Sequence, residues 1–288
     1  MHDYEKLVEQ FDRDGAVCVR GAFSDEWVEL LRAAVERRSE LVDQAKGVVD
    51  VSATEGGTGR FLMGRGLRRL DPGFTQFLRD SGIVEIASRF LGDTTSVILS
   101  DDQFFAKAQG TSLMTPWHQD LSFWPFQGTF LSIWVALDHI NQESGWLQFV
   151  RGSHRWGKIF VADGIQYDPS MHDPDHHELP DIEGHPEQYE VIAFEMAPGD
   201  AAVFDARTLH SSLPNLSRSP RRAYNSRWGA DDAVYAPRPH ASPRHMANAE
   251  AVGLLPGAPL ASEAFPLAWS KEEGQLASFL ADGDLAAH

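Results

Sequence analysis

The 288-residue sequence has a single cysteine, Cys18. One thiol excludes a disulfide framework and any cysteine-rich zinc site, and its simplest role is that of a small buried hydrophobe. Cationic residues are also scarce: 25 Lys and Arg stand against 42 Asp and Glu, a formal charge of −17. Such a chain lacks the clustered cations that nucleic-acid phosphates or anionic membrane surfaces require, so neither is expected as a partner. Long apolar runs are missing too, and nothing approaches the roughly 20 residues of a membrane span. The opening Met1-His2-Asp3-Tyr4-Glu5-Lys6 has no basic n-region and no apolar h-region, so a signal peptide is not expected and a cytoplasmic location is. The acidity bounds macromolecular partners and leaves the charge of any pocket open.

What is present is enough apolar residue to build a full-sized core, 42% against 23% charged, together with twelve histidines. Tyr4, Leu7, Val8 and Phe11 are spaced for a helix over 3–14, broken by Gly15, and Ala16–Val19 reads as a short strand. Ser24 opens a second helix with Trp27, Leu30, Leu31, Ala34 and Val35 as its stripe. Residues 50–66, with five glycines, read as a loop, and short helices are expected near 72–80 and 82–91. From about 95 the pattern changes to short β-prone runs at 96–100, 103–107, 130–137, 146–150, 191–196, 201–204 and 223–228, the spacing of a β-sandwich or barrel. Residues 163–190 form a polar insertion, and Ser270 to Glu273 has the form of a capping box opening a helix over 270–281. The expected architecture is one mainly β domain over 1–288: a helical part (about 1–94), a jelly-roll core (about 95–230) and an extension (231–288).

The strongest local signal is Trp117-His118-Gln119-Asp120. In extended backbone, residues i and i+2 share a face, so an imidazole and a carboxylate converge while Gln119 points the other way. One further histidine would complete a two-His, one-carboxylate face with open metal positions, the donor set of non-haem Fe(II) oxygenases. His176-His177-Glu178 and His185-Pro186-Glu187 repeat the residue types without β-periodicity and read as solvated loop. Downstream, an apolar strand leads into His210, the suitable third ligand. Ser212 can share its face, and Arg221 opens the next β-prone run with a guanidinium able to hold a carboxylate bidentately. His154 and His139 read as structural turn and strand-end residues, and His2, His240, His245 and His288 as solvated.

Taken together, Thr115–Phe126, Ser132–Asp138, Glu143–Leu147, Gly152–Arg155, His210–Ser212 with Pro214-Asn215, and Arg221–Ala223 resemble the phytanoyl-CoA dioxygenase family of Fe(II)/2-oxoglutarate oxygenases over roughly residues 5–230. The resemblance implies a double-stranded β-helix with Fe(II) held by His118, Asp120 and His210. It also implies O₂ and 2-oxoglutarate as cosubstrates, the far carboxylate of the latter bound by Arg221 with Ser212, Trp134 and Gln103. Arg222 is the rival arginine, since a one-residue slip reverses faces; spacing from His210 favours Arg221. Trp117, Phe123, Trp124 and Arg227 are candidates for the substrate wall, with core packing and a barrel-end salt bridge as their plainer roles.

The expected reaction is hydroxylation of an unactivated C–H of a small organic molecule, releasing succinate and CO₂, by a monomer or homodimer. Asp120 argues against halogenation, for which related enzymes replace the carboxylate with a small residue. Desaturation, cyclisation or epimerisation remain alternatives, as do a cupin-type metalloenzyme and a non-catalytic jelly-roll binding protein.

Overall fold

The computed structural model describes residues 2–43, 47–55, 57–161, 175–239 and 241–280. Helix α1 (Tyr4–Asp14) is capped by the Asp3 carboxylate on the Lys6 N–H and ends at Gly15, φ 83°. Only glycine fits there: a Cβ would lie 2.4 Å from His154 Nδ1 and 2.6 Å from Thr208 Oγ1, and L-residues avoid that φ. The tight turn sends the chain into β1 (Ala16–Val19) and then α2 (Asp25–Ser39).

The stretch expected to be a loop instead holds β2 (Val48–Asp50), α3 (Val51–Glu55) and β3 (Phe61–Arg65). Its glycines are partly packing residues: the face of Gly64 is occupied by the Phe104 ring, 2.3 Å from where a Cβ would stand. The N-terminal part is therefore not helical alone, because β1, β2 and β3 all join the large sheet. Helix α4 (Pro72–Asp80) starts at Asp71, whose side chain caps the Gly73 N–H at 2.9 Å while Arg37 grips it bidentately at 2.8 and 2.9 Å. Removing such a cap costs about 1 kcal/mol. Helix α5 (Ile83–Phe90) follows.

The β-region contains β4 (Ser96–Lys107), β5 (Thr115–His118), β6 (Phe126–Gln127), β7 (Phe130–Ala136), β8 (Leu147–Val150), β9 (Val191–Ala193), β10 (Ala201–Asp205), β11 (His210–Ser212), β12 (Arg221–Gly229) and β13 (Val234–Tyr235). After them come α6 (Pro243–Ala251), β14 (Leu267–Ser270) and β15 (Gly274–Gln275). The runs expected at 96–100 and 103–107 are one long strand, β4, which spans the sheet beside β12. The large sheet runs β1-β10-β7-β12-β4-β14-β15, with β3 and β2 also joined to β4, and it faces a smaller sheet β5-β11-β8-β9. All the named strand pairings are antiparallel, as in a jelly roll.

Period-2 alternation divides the large sheet's two faces. Leu131, Ile133 and Val135 of β7 pack with Phe104, Tyr224 and Trp228 against Leu31, Phe74, Phe77 and Leu78 of the helices. The opposite face turns Trp134, Ala136, Ala202, Phe204 and Ala223 inward against Phe149 of the smaller sheet. Cys18 is on this inner face and buried, as expected.

Two expectations fail in the C-terminal segment. No helix spans 270–280: the Ser270 hydroxyl does accept the Glu273 N–H at 3.2 Å, but the turn it makes joins β14 to β15. The apolar residues before it, Leu267 to Trp269, are committed to pairing with β4, which fixes an extended backbone. His245 is not solvated. It is 2% exposed on α6, with Nε2 3.3 Å from Asp101 and its ring against Phe126. His240 and His288 lie outside the described residues.

Asp102, on the helix-facing side of β4, accepts the Arg68 N–H at 2.8 Å and the Tyr224 hydroxyl at 3.3 Å. Burial, reinforced by the Asp101 charge, pushes its carboxyl up from an ordinary 3.8 to about 7. A raised folded-state value favours the protonated acid, so the associated stability is present below the unfolded value and is lost as pH rises through 7. Asp102→Asn keeps an acceptor without the charge. Its melting temperature relative to wild type should climb between pH 4 and pH 8, by roughly 2–4 °C per kcal/mol relieved. A pH-independent difference in a melting series would refute that reading of Asp102.

Candidate active site

β5 ends at His118, yet Gln119 remains extended (φ −109°, ψ 138°) before the chain turns at Asp120 into a short 3₁₀ segment, Asp120–Phe123. That single extended residue brings His118 and Asp120 to one side. Gln119 points away, fully buried, donating to the Arg207 and Lys158 carbonyls and accepting from the Phe160 N–H. β11 pairs with β5 in a register that sets His210 opposite His118, ring centroids 4.1 Å apart. One ligand atom from each of His118, Asp120 and His210 lies within 4.8 Å of the others, and they are the sole such group among the described residues.

The hydrogen bonds fix the imidazole tautomers. His118 Nδ1 lies 2.8 Å from the Pro116 carbonyl and His210 Nδ1 2.9 Å from that of Thr208. Each bond assigns the proton to Nδ1 and leaves the Nε2 lone pair free. Burial, aided by the neighbouring His210, pulls His118 down to about 3, and burial also lowers His210, so both rings are neutral at pH 7. Burial alone would raise Asp120, but Arg227 and the two imidazoles outweigh it and hold the carboxyl at about 2. Its oxygens are oriented by Ser132 Oγ at 2.6 Å and Arg227 Nη2 at 2.8 Å. Two neutral imidazoles and one carboxylate on one face fit Fe(II).

A cavity opens from this cluster. At its far end Arg221 is 1% exposed, donates from Nη2 to Ser212 Oγ at 2.7 Å and lies over the Trp134 ring at 5.4 Å. Burial draws its guanidinium down to about 10, still charged at neutral pH. Arg222 faces the other way, bound to Asp138 and Glu36, so the alternation of β12 puts Arg221 inside and its neighbour outside. Trp134 and Ser212 line the cavity as well.

Gln103 is on the inner face of β4 but is not among the lining residues, its amide donating to Asp101 at 3.2 Å. Arg227 lines the cavity, bridging Asp120 and Asp101. The aromatic candidates divide. Phe123 meets His118 edge-on at 5.6 Å. Trp124 is core, stacked under Arg227 at 5.0 Å. Trp117 packs into a separate cluster with Phe160 and Leu209.

Three residues escaped the sequence reading. Lys107 is fully buried beside Arg221, donating to Ser212 Oγ at 3.1 Å and the Leu213 carbonyl at 2.8 Å, and burial with the Arg221 charge depresses its ammonium well below the ordinary value. Ser132 and Asn225 face each other's strands along the inner wall; period-2 counting from Trp134 and from Arg221 would have found both. His176-His177-Glu178 and His185-Glu187 take no part, and His177 and His185 are exposed. His154 is the turn residue expected, its Nε2 3.1 Å from the Asp12 carbonyl.

A jelly roll offering this donor set at one end of a cavity, with a buried guanidinium at the other, defines the class of non-haem iron, 2-oxoglutarate-dependent oxygenases. More particularly, the chain belongs to the phytanoyl-CoA dioxygenase family, whose model matches residues 11–223. It is similar to the ectoine dioxygenase of Bordetella bronchiseptica, 27% identical over 260 residues that cover 85% of this chain and 82% of that one. The rat peroxisomal phytanoyl-CoA dioxygenase is 27% identical over 122 residues, 42% of this chain and 35% of that one. In fold it resembles the 2-oxoglutarate-dependent epimerase SnoN of nogalamycin biosynthesis, with TM-score 0.71, 24% identity and 92% and 97% of the two chains covered. No described helix is long and apolar enough to cross a membrane.

Proposed function

We propose that the protein hydroxylates an unactivated C–H of a small organic molecule. The observation that carries this reading is the pairing, in one cavity, of the His118, Asp120, His210 cluster with buried Arg221. The three cluster residues would hold Fe(II) through the two Nε2 atoms and one Asp120 oxygen. Arg221 would bind the far carboxylate of 2-oxoglutarate through its fork, with Ser212, Lys107 and Trp134 fixing the guanidinium's place. Bound there, iron, 2-oxoglutarate and O₂ supply the oxidising chemistry: one oxygen atom goes to succinate as CO₂ is released, and the other converts substrate C–H to C–OH.

The chain's own residues do the positioning. Ser132 and Arg227 keep the Asp120 carboxylate ionised and aimed, and the carbonyls of Pro116 and Thr208 lock the imidazole tautomers. Phe61, Phe105, Leu147 and Phe204 line the walls and exclude water from the reacting C–H. The carboxylate at Asp120 leaves no ligand gap for a halide, which favours hydroxylation over halogenation.

Anaerobic titration with Fe(II) and then 2-oxoglutarate should develop the visible charge-transfer band of the chelate, and admitting O₂ should release succinate. Metal-loaded protein without the band would reject the reading. A band without succinate, across a broad substrate screen, would indicate a binding protein that has lost turnover.

A further inference from the structure

Beyond the triad, on the side away from Arg221, the inner wall holds more positive charge than its residues balance. Arg65 closes β3, whose register sets Phe61, Met63 and Arg65 against Lys107, Phe105 and Gln103. This row therefore runs from the cosubstrate end of the cavity, where Phe61 lines it, toward Asp101. Among the described residues the Arg65 guanidinium meets only Met63 Sδ at 3.7 Å, and its Nε is buried with no hydrogen-bond partner. Arg244, reaching in from α6 against the end of β3, donates to Asp101 at 2.5 Å and has its own Nε buried without a partner. Arg227 spans Asp101 and Asp120. His245 adds no positive charge, since burial and Arg244 hold it down to about 4.

The balance of charge is then simple. Arg227 keeps Asp120 as its counter-ion and positions it. That leaves Arg65 and Arg244 facing one carboxylate, Asp101, which its cationic neighbours hold well below the ordinary range against the upward push of burial. Buried donors without partners are rare and costly, and each guanidinium leaves its Nε–H in that state; the deficit is one negative charge with fork-like acceptors. Asp101 is shared with Arg227, which lines the cavity and grips Asp120, so the surplus charge stands next to the triad, and Arg65 and Arg244 are both partly open to solvent, Arg244 with 31% of its side chain exposed.

We infer that the substrate carries a carboxylate, and that Arg65 with Arg244 binds it beside the triad. This rests on the oxygenase reading and narrows it to a class: small monocarboxylates whose C–H is presented to the metal from the Arg65 side, with an apolar body against Phe105. Arg65 and Arg244 are then specificity-determining residues of the same site.

The test uses protein loaded anaerobically with Fe(II) and saturating 2-oxoglutarate, so that Arg221 is already occupied. A panel of fluorinated aliphatic and aromatic monocarboxylates, each paired with its primary amide, is titrated and followed by ¹⁹F NMR line width. Acids should bind in preference to their amides and broaden more with Fe(II) than with diamagnetic Zn(II). Arg65→Met should weaken the preferred acid by at least about tenfold without loss of the charge-transfer band. Arg65→Lys should restore part of the affinity, and Arg244→Gln, on a partly exposed side chain, gives a second loss independent of Arg65's burial. Equal binding of acids and amides, acid binding unchanged in both Arg65→Met and Arg244→Gln, or preference for a phosphate-bearing analogue such as fluorophenyl phosphate would overturn the carboxylate assignment. Failure of the oxygenase reading is distinguishable, because the wild-type band itself would then be missing.

Discussion

Asp120→Ala is expected to abolish turnover, with succinate formation falling by at least about 10³-fold, equivalent to roughly 4 kcal/mol of lost transition-state stabilisation. Asp120 is the sole anionic donor of the cluster and the point on which Ser132 and Arg227 both converge. Its removal takes away one metal ligand and leaves the Arg227 guanidinium facing Asp101 alone within the buried site. Metal affinity should fall with activity, which equilibrium dialysis against Fe(II) or Zn(II) measures directly. Ser132→Ala provides the graded comparison: it leaves the ligand in place and removes only the 2.6 Å hydrogen bond that orients it. Outer partners of this kind cost about 10–100-fold when lost, so Ser132→Ala should fall between wild type and Asp120→Ala in both metal affinity and rate. Should Asp120→Ala keep succinate formation within tenfold of wild type, Asp120 is not a ligand and the cluster has another use.

The cluster of His118, Asp120 and His210 was legible because its geometry needs only short-range rules. One extended residue, Gln119, suffices to bring His118 and Asp120 together, and the apolar strand leading to His210 announces a second inward-facing position. Arg221 was likewise preferred to Arg222 on its spacing from His210, and the alternation of β12 turns Arg221 inward and Arg222 outward. What the same rules missed depended on contacts distant in sequence. Lys107 reads as a polar end to a strand, and only its alignment with Phe61 and Arg221 on the two neighbouring strands reveals a buried ammonium. His245 and Arg244 stand in a segment with weak periodicity, and their burial depends on α6 closing over Asp101. The Ser270–Glu273 turn shows the opposite failure: the local hydrogen bond was anticipated, but the neighbouring strand β4 decided that it would join strands and not start a helix. Local chemistry picked out the residues that converge, and tertiary pairing determined which of them face one another.

The second large effect belongs to the other end of the cavity. Arg221→Met should raise the half-saturating concentration of 2-oxoglutarate by about 10²-fold or more, since a charge-assisted hydrogen bond contributes roughly 1.5–3 kcal/mol and a fork makes two. Metal binding should persist, because Arg221 touches Ser212 and Trp134 and none of the three cluster residues. The charge-transfer band should accordingly be lost at cosubstrate concentrations that saturate wild type and return at high concentration. Lys107→Met is expected to act in the same direction but less, about tenfold, because its ammonium also serves the Leu213 carbonyl and burial weakens its charge. Both cations share Ser212 Oγ, so their effects should not add. A double variant close to Arg221→Met alone would place them in one unit. Arg222→Met is the control for the face of the strand: it breaks the pairs with Asp138 and Glu36 on the outer side and should leave cosubstrate affinity unchanged. If Arg222→Met, and not Arg221→Met, weakened 2-oxoglutarate binding, the register of β12 against β4 and β7 would be wrong by one residue, and with it the inward placement of Asn225 and Arg227.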